Sequence, residues 1–71
     1  MKESQVIRIW DYLVANGSIT PLEAMNLFGV MRLAAVIHVI RHRFGIDIKT
    51  EMIEVKNRFG ETARVARYRM A

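Results

Sequence analysis

The tightest constraint on this chain lies between Thr20 and Gly29. Thr20-Pro21-Leu22-Glu23 sets an N-cap threonine, a proline at the first helical position and a glutamate three residues past the cap. That is a capping box with the favoured proline placement, so a helix starts at Pro21. Gly29 supplies the left-handed residue that ends it, which predicts only two turns, to about Phe28, followed by a sharp change of direction. The helical pattern resumes at once. From Met31 to about Arg43, spacing residues 100° apart puts Leu33, Ile37, Ile40 and Phe44 in one narrow apolar sector facing a core. Met31, Ala35, His38 and His42 lie on the opposite side, flanked by Arg32 and Arg41.

The flanking segments are read from the same grammar. Ser4 caps a first helix whose apolar positions Val6, Ile9, Trp10, Leu13 and Val14 recur every three or four residues up to Asn16-Gly17, with Trp10 in the core and Tyr12 at its rim. Ser18-Ile19, held between Gly17 and Pro21, is an extended connector or a minimal strand. After Gly45 come two β-rich runs, Ile46 to Val55 and Thr62 to Met70, which form a hairpin. A three-residue loop, Arg58-Phe59-Gly60, pairs Glu54 with Arg64, Glu51 with Arg67, Ile48 with Met70 and Thr50 with Tyr68. A four-residue loop would set Ile48 against Arg69 and Ile53 against Arg64, so the shorter loop is expected. Ile53, Val55 and Val65 then share the other face, partly exposed on a lone two-stranded wing and open to a partner.

Composition narrows the chemistry. Seventy-one residues make one domain with a thin core, too small for a deep catalytic cavity. Cysteine is absent, so disulfides, thiolate zinc sites and cysteine nucleophiles are excluded. No Gly-rich phosphate loop and no defensible Ser–His–Asp arrangement is present, and the acidic residues are scattered; neither catalysis nor a cofactor is expected. His38 and His42 have the i, i+4 spacing of half a zinc site, but no third ligand sits at a suggestive distance, so no metal is expected. No apolar run approaches the roughly 18 residues of a membrane span, and the polar start is unlike a signal peptide. The expectation is a cytoplasmic protein without a membrane role. Charge supplies the positive clue. Nine of the eleven Lys/Arg but four of the seven Asp/Glu follow Met31, so the second half meets a polyanion if there is one.

Helix, short extended segment, short helix, glycine turn, longer helix and hairpin is the order of an α+β winged helix-turn-helix: three helices plus a C-terminal β-hairpin wing, one domain over residues 1–71. The stretches Ser-Ile-Thr-Pro-Leu-Glu-Ala (18–24), Phe-Gly-Val-x-Arg-Leu-Ala-Ala (28–35) and Glu-Val-Lys-Asn-Arg-Phe-Gly-Glu (54–61) resemble the small winged helix-turn-helix proteins of bacteriophages and prophages. The resemblance runs from Val6 to Met70. It implies a DNA-binding regulator encoded by a phage or prophage and working in the bacterial host cell. Where such proteins usually carry polar residues, this chain has Val36 and Val39; Val36 is expected to be buried and Val39 partly exposed.

Sorted by what each residue can touch, the expected DNA contacts fall into three groups. On the helix over 31–43, placed in the major groove, are Met31, Arg32, Ala35, His38, Arg41 and His42, with Arg32 suited to a guanine edge or a phosphate and Arg41 to the backbone. On the wing, over 56–60, are Lys56, Asn57 and Arg58, aimed at a neighbouring backbone or minor groove, with Phe59 folded back onto the hairpin. Thr20 offers donors to a phosphate at the start of the short helix. The alternative, from a different class, is a protein-interaction module or homodimer that uses Val39, Ile53, Val55 and Val65.

Overall fold

The computed structural model describes residues 3–71. The chain forms α1 (Glu3–Asn16), β1 (Ser18–Ile19), α2 (Pro21–Phe28), α3 (Leu33–Phe44), β2 (Ile48–Lys56) and β3 (Thr62–Met70). The capping box at Thr20 forms as the sequence requires. Its hydroxyl accepts from the Glu23 amide at 3.2 Å, and the Glu23 carboxylate accepts from the Thr20 amide at 2.9 Å. At the other end Gly29 sits at φ 66°. Its amide bonds the Met25 carbonyl while the Val30 amide reaches back to the Ala24 carbonyl at 3.2 Å, closing the helix and drawing Val30 into the core.

The hairpin adopts the register of the three-residue loop: Glu54 faces Arg64, Glu51 faces Arg67, Ile48 faces Met70 and Thr50 faces Tyr68. It is not a lone two-stranded wing. Ser18 and Ile19 pair antiparallel with Arg69 and Tyr68, giving a three-stranded sheet in the order β1-β3-β2, with β2 at an open edge. The Asn57 amide bonds the Glu61 carbonyl and the Ala71 amide bonds the Asp47 carbonyl. Those two ladder bonds fix the parity of the strand: odd-numbered peptide groups of β2 turn toward β3, and even-numbered groups, Ile48 among them, turn toward the open edge.

One core joins the elements. Val6, Ile9 and Leu13 of α1, Ile19, Ala24, Val30, then Leu33, Val36, Ile37 and Ile40 of α3 pack with Ile48 and Tyr68 at the root of the hairpin. Val36 is buried and Val39 is half-buried against this core, as their spacing predicts. Four expectations need correcting. Ser4 does not cap the first helix but lies within it, since α1 already includes Glu3. Phe44 lies 42% exposed at the last turn of α3, where the core has already ended, and stacks on the half-buried Trp10 with ring centroids 5.6 Å apart. Val14 is exposed, because α1 buries a stripe of three residues, not five. The third helix starts at Leu33, two residues later than expected, because Arg32 takes a non-helical conformation (φ −122°, ψ 61°) as its N-cap.

Candidate nucleic-acid interface

The α2 and α3 axes meet at 96°, across the four-residue connection Gly29–Arg32. Helices joined at about a right angle by so short a turn place the second one clear of the body, where it can enter a groove. Arg32 is the N-cap residue of α3; its guanidinium has no acceptor with which to cap, and it forms no ion pair among the described residues. Only its carbonyl is used, by the amides of Ala35 and Val36. The exposed guanidinium is therefore free to reach outward. Met31, expected inside the helix, precedes it in the turn and is 82% exposed.

Ala35 is half-buried on the wall of an open concavity of about 460 Å³ at the start of α3. Gln5, Met31, Arg32 and Val36 line it too, with the Gly29-Val30 turn. Gln5 carried no sequence signal. It belongs to α1, and only the tertiary fold brings it beside the α2–α3 turn. Further along α3 the exposed rings of His38 and His42 stand 4.2 Å apart between centroids, tilted by 50°. Among the described residues no third His, Cys, Asp or Glu joins them in a group that could hold a metal.

Arg41 does not point toward a ligand. Its Nε donates to the Ile48 carbonyl at 3.0 Å, its Nη2 donates to the same oxygen, and Nη2 also donates to the Thr50 hydroxyl at 3.0 Å. Ile48 offers that carbonyl because it faces the open edge of β2. Arg41 thus ties α3 to the root of the wing and covers part of an unpaired strand edge. Arg43 in the last turn is engaged as well, pairing with Glu3 of α1 at 2.5 Å. On the outer sheet face Arg67 bonds Glu51 at 2.6 Å and Arg69 lies 3.5 Å from the same carboxylate. The Arg67 hydrogen bond, with smaller help from Arg69, holds the Glu51 carboxyl below its ordinary range.

At the wing, Asn57 serves the turn. Its Oδ1 accepts from the amides of Phe59 at 2.9 Å and Glu61 at 3.1 Å, so the oxygen is unavailable to a ligand. Lys56 and Arg58 are exposed, and neither forms an ion pair among the described residues. Phe59 does not fold back on the hairpin; it projects from the tip, 78% exposed.

Thr20 is likewise committed. Its hydroxyl donates to Glu23 Oε1 at 3.1 Å while accepting from the Glu23 amide, and the Glu23 carboxylate also accepts from the Thr20 amide. The Tyr12 hydroxyl donates to the other carboxylate oxygen at 3.0 Å, joining α1 to α2. That hydrogen bond, then desolvation and the carboxylate's charge, raise the Tyr12 phenol above its ordinary value. Of the four apolar positions expected to form one partner surface, Val39 leaves the set while Ile53, opposite Val65, stays with Val55 on one sheet face. Val39 packs on the core, whereas Val55 and Val65 line a groove of about 210 Å³ with Thr20, Pro21, Leu22 and Lys56.

This order of elements, with a right-angled helix pair and a wing after its second helix, defines a winged helix-turn-helix. The chain matches the family model of the winged helix-turn-helix domain over residues 4–71, and it belongs to that family. No curated protein matches it. Membership in this class implies DNA binding. No single helix among the described residues is long and apolar enough to cross a membrane.

Proposed function

We propose that the protein binds double-stranded DNA as a transcription regulator, with α3 in the major groove and the wing over a neighbouring backbone or minor groove. The observation that carries this reading is how the cations divide. Arg41, Arg43, Arg67 and Arg69 are held by the protein's own carbonyls and carboxylates, while Arg32 at the start of α3 and Lys56 and Arg58 along the wing stand exposed; Lys49 and Arg64 on the hairpin strands and Arg8 on α1 are also exposed and form no ion pair among the described residues. His38 and His42 extend the α3 surface between those ends, and Ala35 lets the helix approach closely. Thr20, Arg41 and Asn57 contribute by shaping the interface. A phage or prophage origin and a place in the host cytoplasm rest on the resemblance of residues 18–24, 28–35 and 54–61.

Fluorescence anisotropy with a random-sequence duplex at several salt concentrations tests the reading. Log affinity falls linearly with log salt, and Arg32→Ala and Arg58→Ala each reduce the slope by about 0.9, one phosphate contact's worth. No binding at low salt, or slopes untouched by both changes, would overturn it. A second reading is favoured by the groove beside Leu22, which is 62% exposed next to the 39% exposed Val55. An apolar surface away from the recognition helix suits a protein partner or a second copy, and a single small domain reads too few base pairs for high specificity alone.

A further inference from the structure

We propose that Phe59 is a wedge that enters the DNA minor groove, partly unstacks a base step and bends the duplex. This rests on the DNA-binding reading above and adds a deformation that the phosphate contacts alone do not require. Four observations support it. Turn tips favour Gly, Asn, Asp and Ser, yet the apex here is a phenylalanine with 78% of its surface in water. The backbone that carries it is pinned. The Asn57 oxygen holds the Phe59 and Glu61 amides, the Gly60 amide bonds the Asn57 carbonyl at 3.0 Å, and Gly60 takes the left-handed φ of 78° that the loop needs. A wedge must be held in this way, because a mobile aromatic would lose its ordering entropy on insertion.

The third observation is charge. Arg58 adjoins Phe59 and Lys56 lies three residues before it, so on its β2 side the ring has two cations that suit a phosphate strand bordering a minor groove, while Glu61 follows on its β3 side. The fourth is reach. From Ile48, buried at the root and tied to α3 through Arg41, the strand runs eight residues to Lys56. At about 3.3 Å per residue the tip stands roughly 26 Å or more from that root. Half a turn of duplex is about 17 Å, so a wing anchored beside a helix in the major groove spans to the next minor groove. An apolar ring with cations beside it fits a stacked base step better than it fits solvent.

The test uses one duplex containing central TA steps, which unstack easily, with a donor and an acceptor dye on its two ends. Energy transfer reads bending, and anisotropy reads occupancy in the same sample. Saturating wild-type protein is expected to raise the transfer as the ends approach. Phe59→Ala is expected to bind roughly tenfold more weakly, the worth of one lost stacking contact, with an unchanged salt slope and no bend at saturation. Phe59→Leu keeps an apolar wedge and is expected to restore the bend. Wild-type binding without bending, or full bending by saturating Phe59→Ala, would overturn the wedge and leave the DNA-binding reading intact. Failure of the wild type to bind the duplex at low salt would overturn both. Thermal melts control for folding: the Phe59 side chain touches little of the protein, so both variants should melt with the wild type.

Discussion

Arg41 and Arg32 are both basic residues of the α3 region, but their surroundings give them opposite roles. The Arg41 guanidinium is spent on the Ile48 carbonyl and the Thr50 hydroxyl, whereas the Arg32 guanidinium is exposed and forms no ion pair among the described residues. Arg41→Ala is therefore predicted to cost about 1 kcal/mol, because its charge-assisted bonds to the Ile48 carbonyl and the Thr50 hydroxyl are lost at a strand edge where water can take their place. In a domain of this size that lowers Tm by roughly 4–8 °C. Its salt slope on DNA should stay at the wild-type value. Arg32→Ala should do the reverse, keeping Tm and reducing the slope, and melting curves beside salt titrations separate the two. Thr20 belongs with Arg41. Thr20→Ala removes the cap and should cost about 1 kcal/mol without changing the slope. The same network makes a pH prediction. The Tyr12 phenol bonded to Glu23 has a folded-state value raised above 10.0. Its stabilising contribution is fully present below pH 10 and is lost as pH rises through the folded value. Glu23→Gln should move the phenolate absorbance transition of Tyr12 back down.

Elements fixed by short-range rules were legible in the sequence. The span of α2 follows from a cap, a proline and a glycine within ten residues, and the hairpin register follows from the two-residue alternation and one loop length. Features set by distant parts of the chain were not legible. The start of α3 lacks a capping side chain, so the apolar period alone ran two residues too far toward Met31. Phe44 lies in the right angular sector of its helix, but an angle does not say where along the axis the core stops. The same limit applied to the interface. Arg32, Lys56 and Arg58 could be named as exposed cations from their spacing. That Arg41 would be captured by β2, Arg43 by Glu3 forty residues away, and Gln5 brought beside Arg32 depends on tertiary packing. The wing turn yields the prediction for this scale. A Cβ at Gly60 would meet nothing within 4 Å, so Gly60→Ala is strained only by its positive φ. The expected cost is about 1–2 kcal/mol, confined to the loop. Heteronuclear NOEs of residues 57–61 should fall while those of α1 and α3 hold. If Phe59 needs a rigid mount, bending of DNA should fall with them.

The molecule as a whole is lopsided, 38 Å along its longest axis and 24 by 20 Å across. The buried residues of the sheet, Ile19, Ile48 and Tyr68, lie at the root of the hairpin, whereas both strands from Glu54 and Arg64 outward to the tip have mostly exposed side chains. The wing therefore gains little from the core beyond its anchor and stands on ladder bonds and one cross-strand face. Stability should divide accordingly. Ile37 is completely buried at the centre of the core, so Ile37→Ala is predicted to cost about 2–5 kcal/mol, comparable to the roughly 5 kcal/mol total expected of a domain this small. That variant should be largely unfolded in urea concentrations that leave the wild type intact, and Ile37→Val should fall between them. Hydrogen exchange supplies the complementary reading. Core amides of α1, α3 and the 68–70 stretch should exchange only through global unfolding, while amides near 54–56 and 62–64 open locally at lower cost. Duplex DNA should then slow exchange most at the wing, since a ligand that grips the tip supplies the contacts the core cannot extend to it. Equal slowing at the wing and in the core would place the DNA contacts elsewhere.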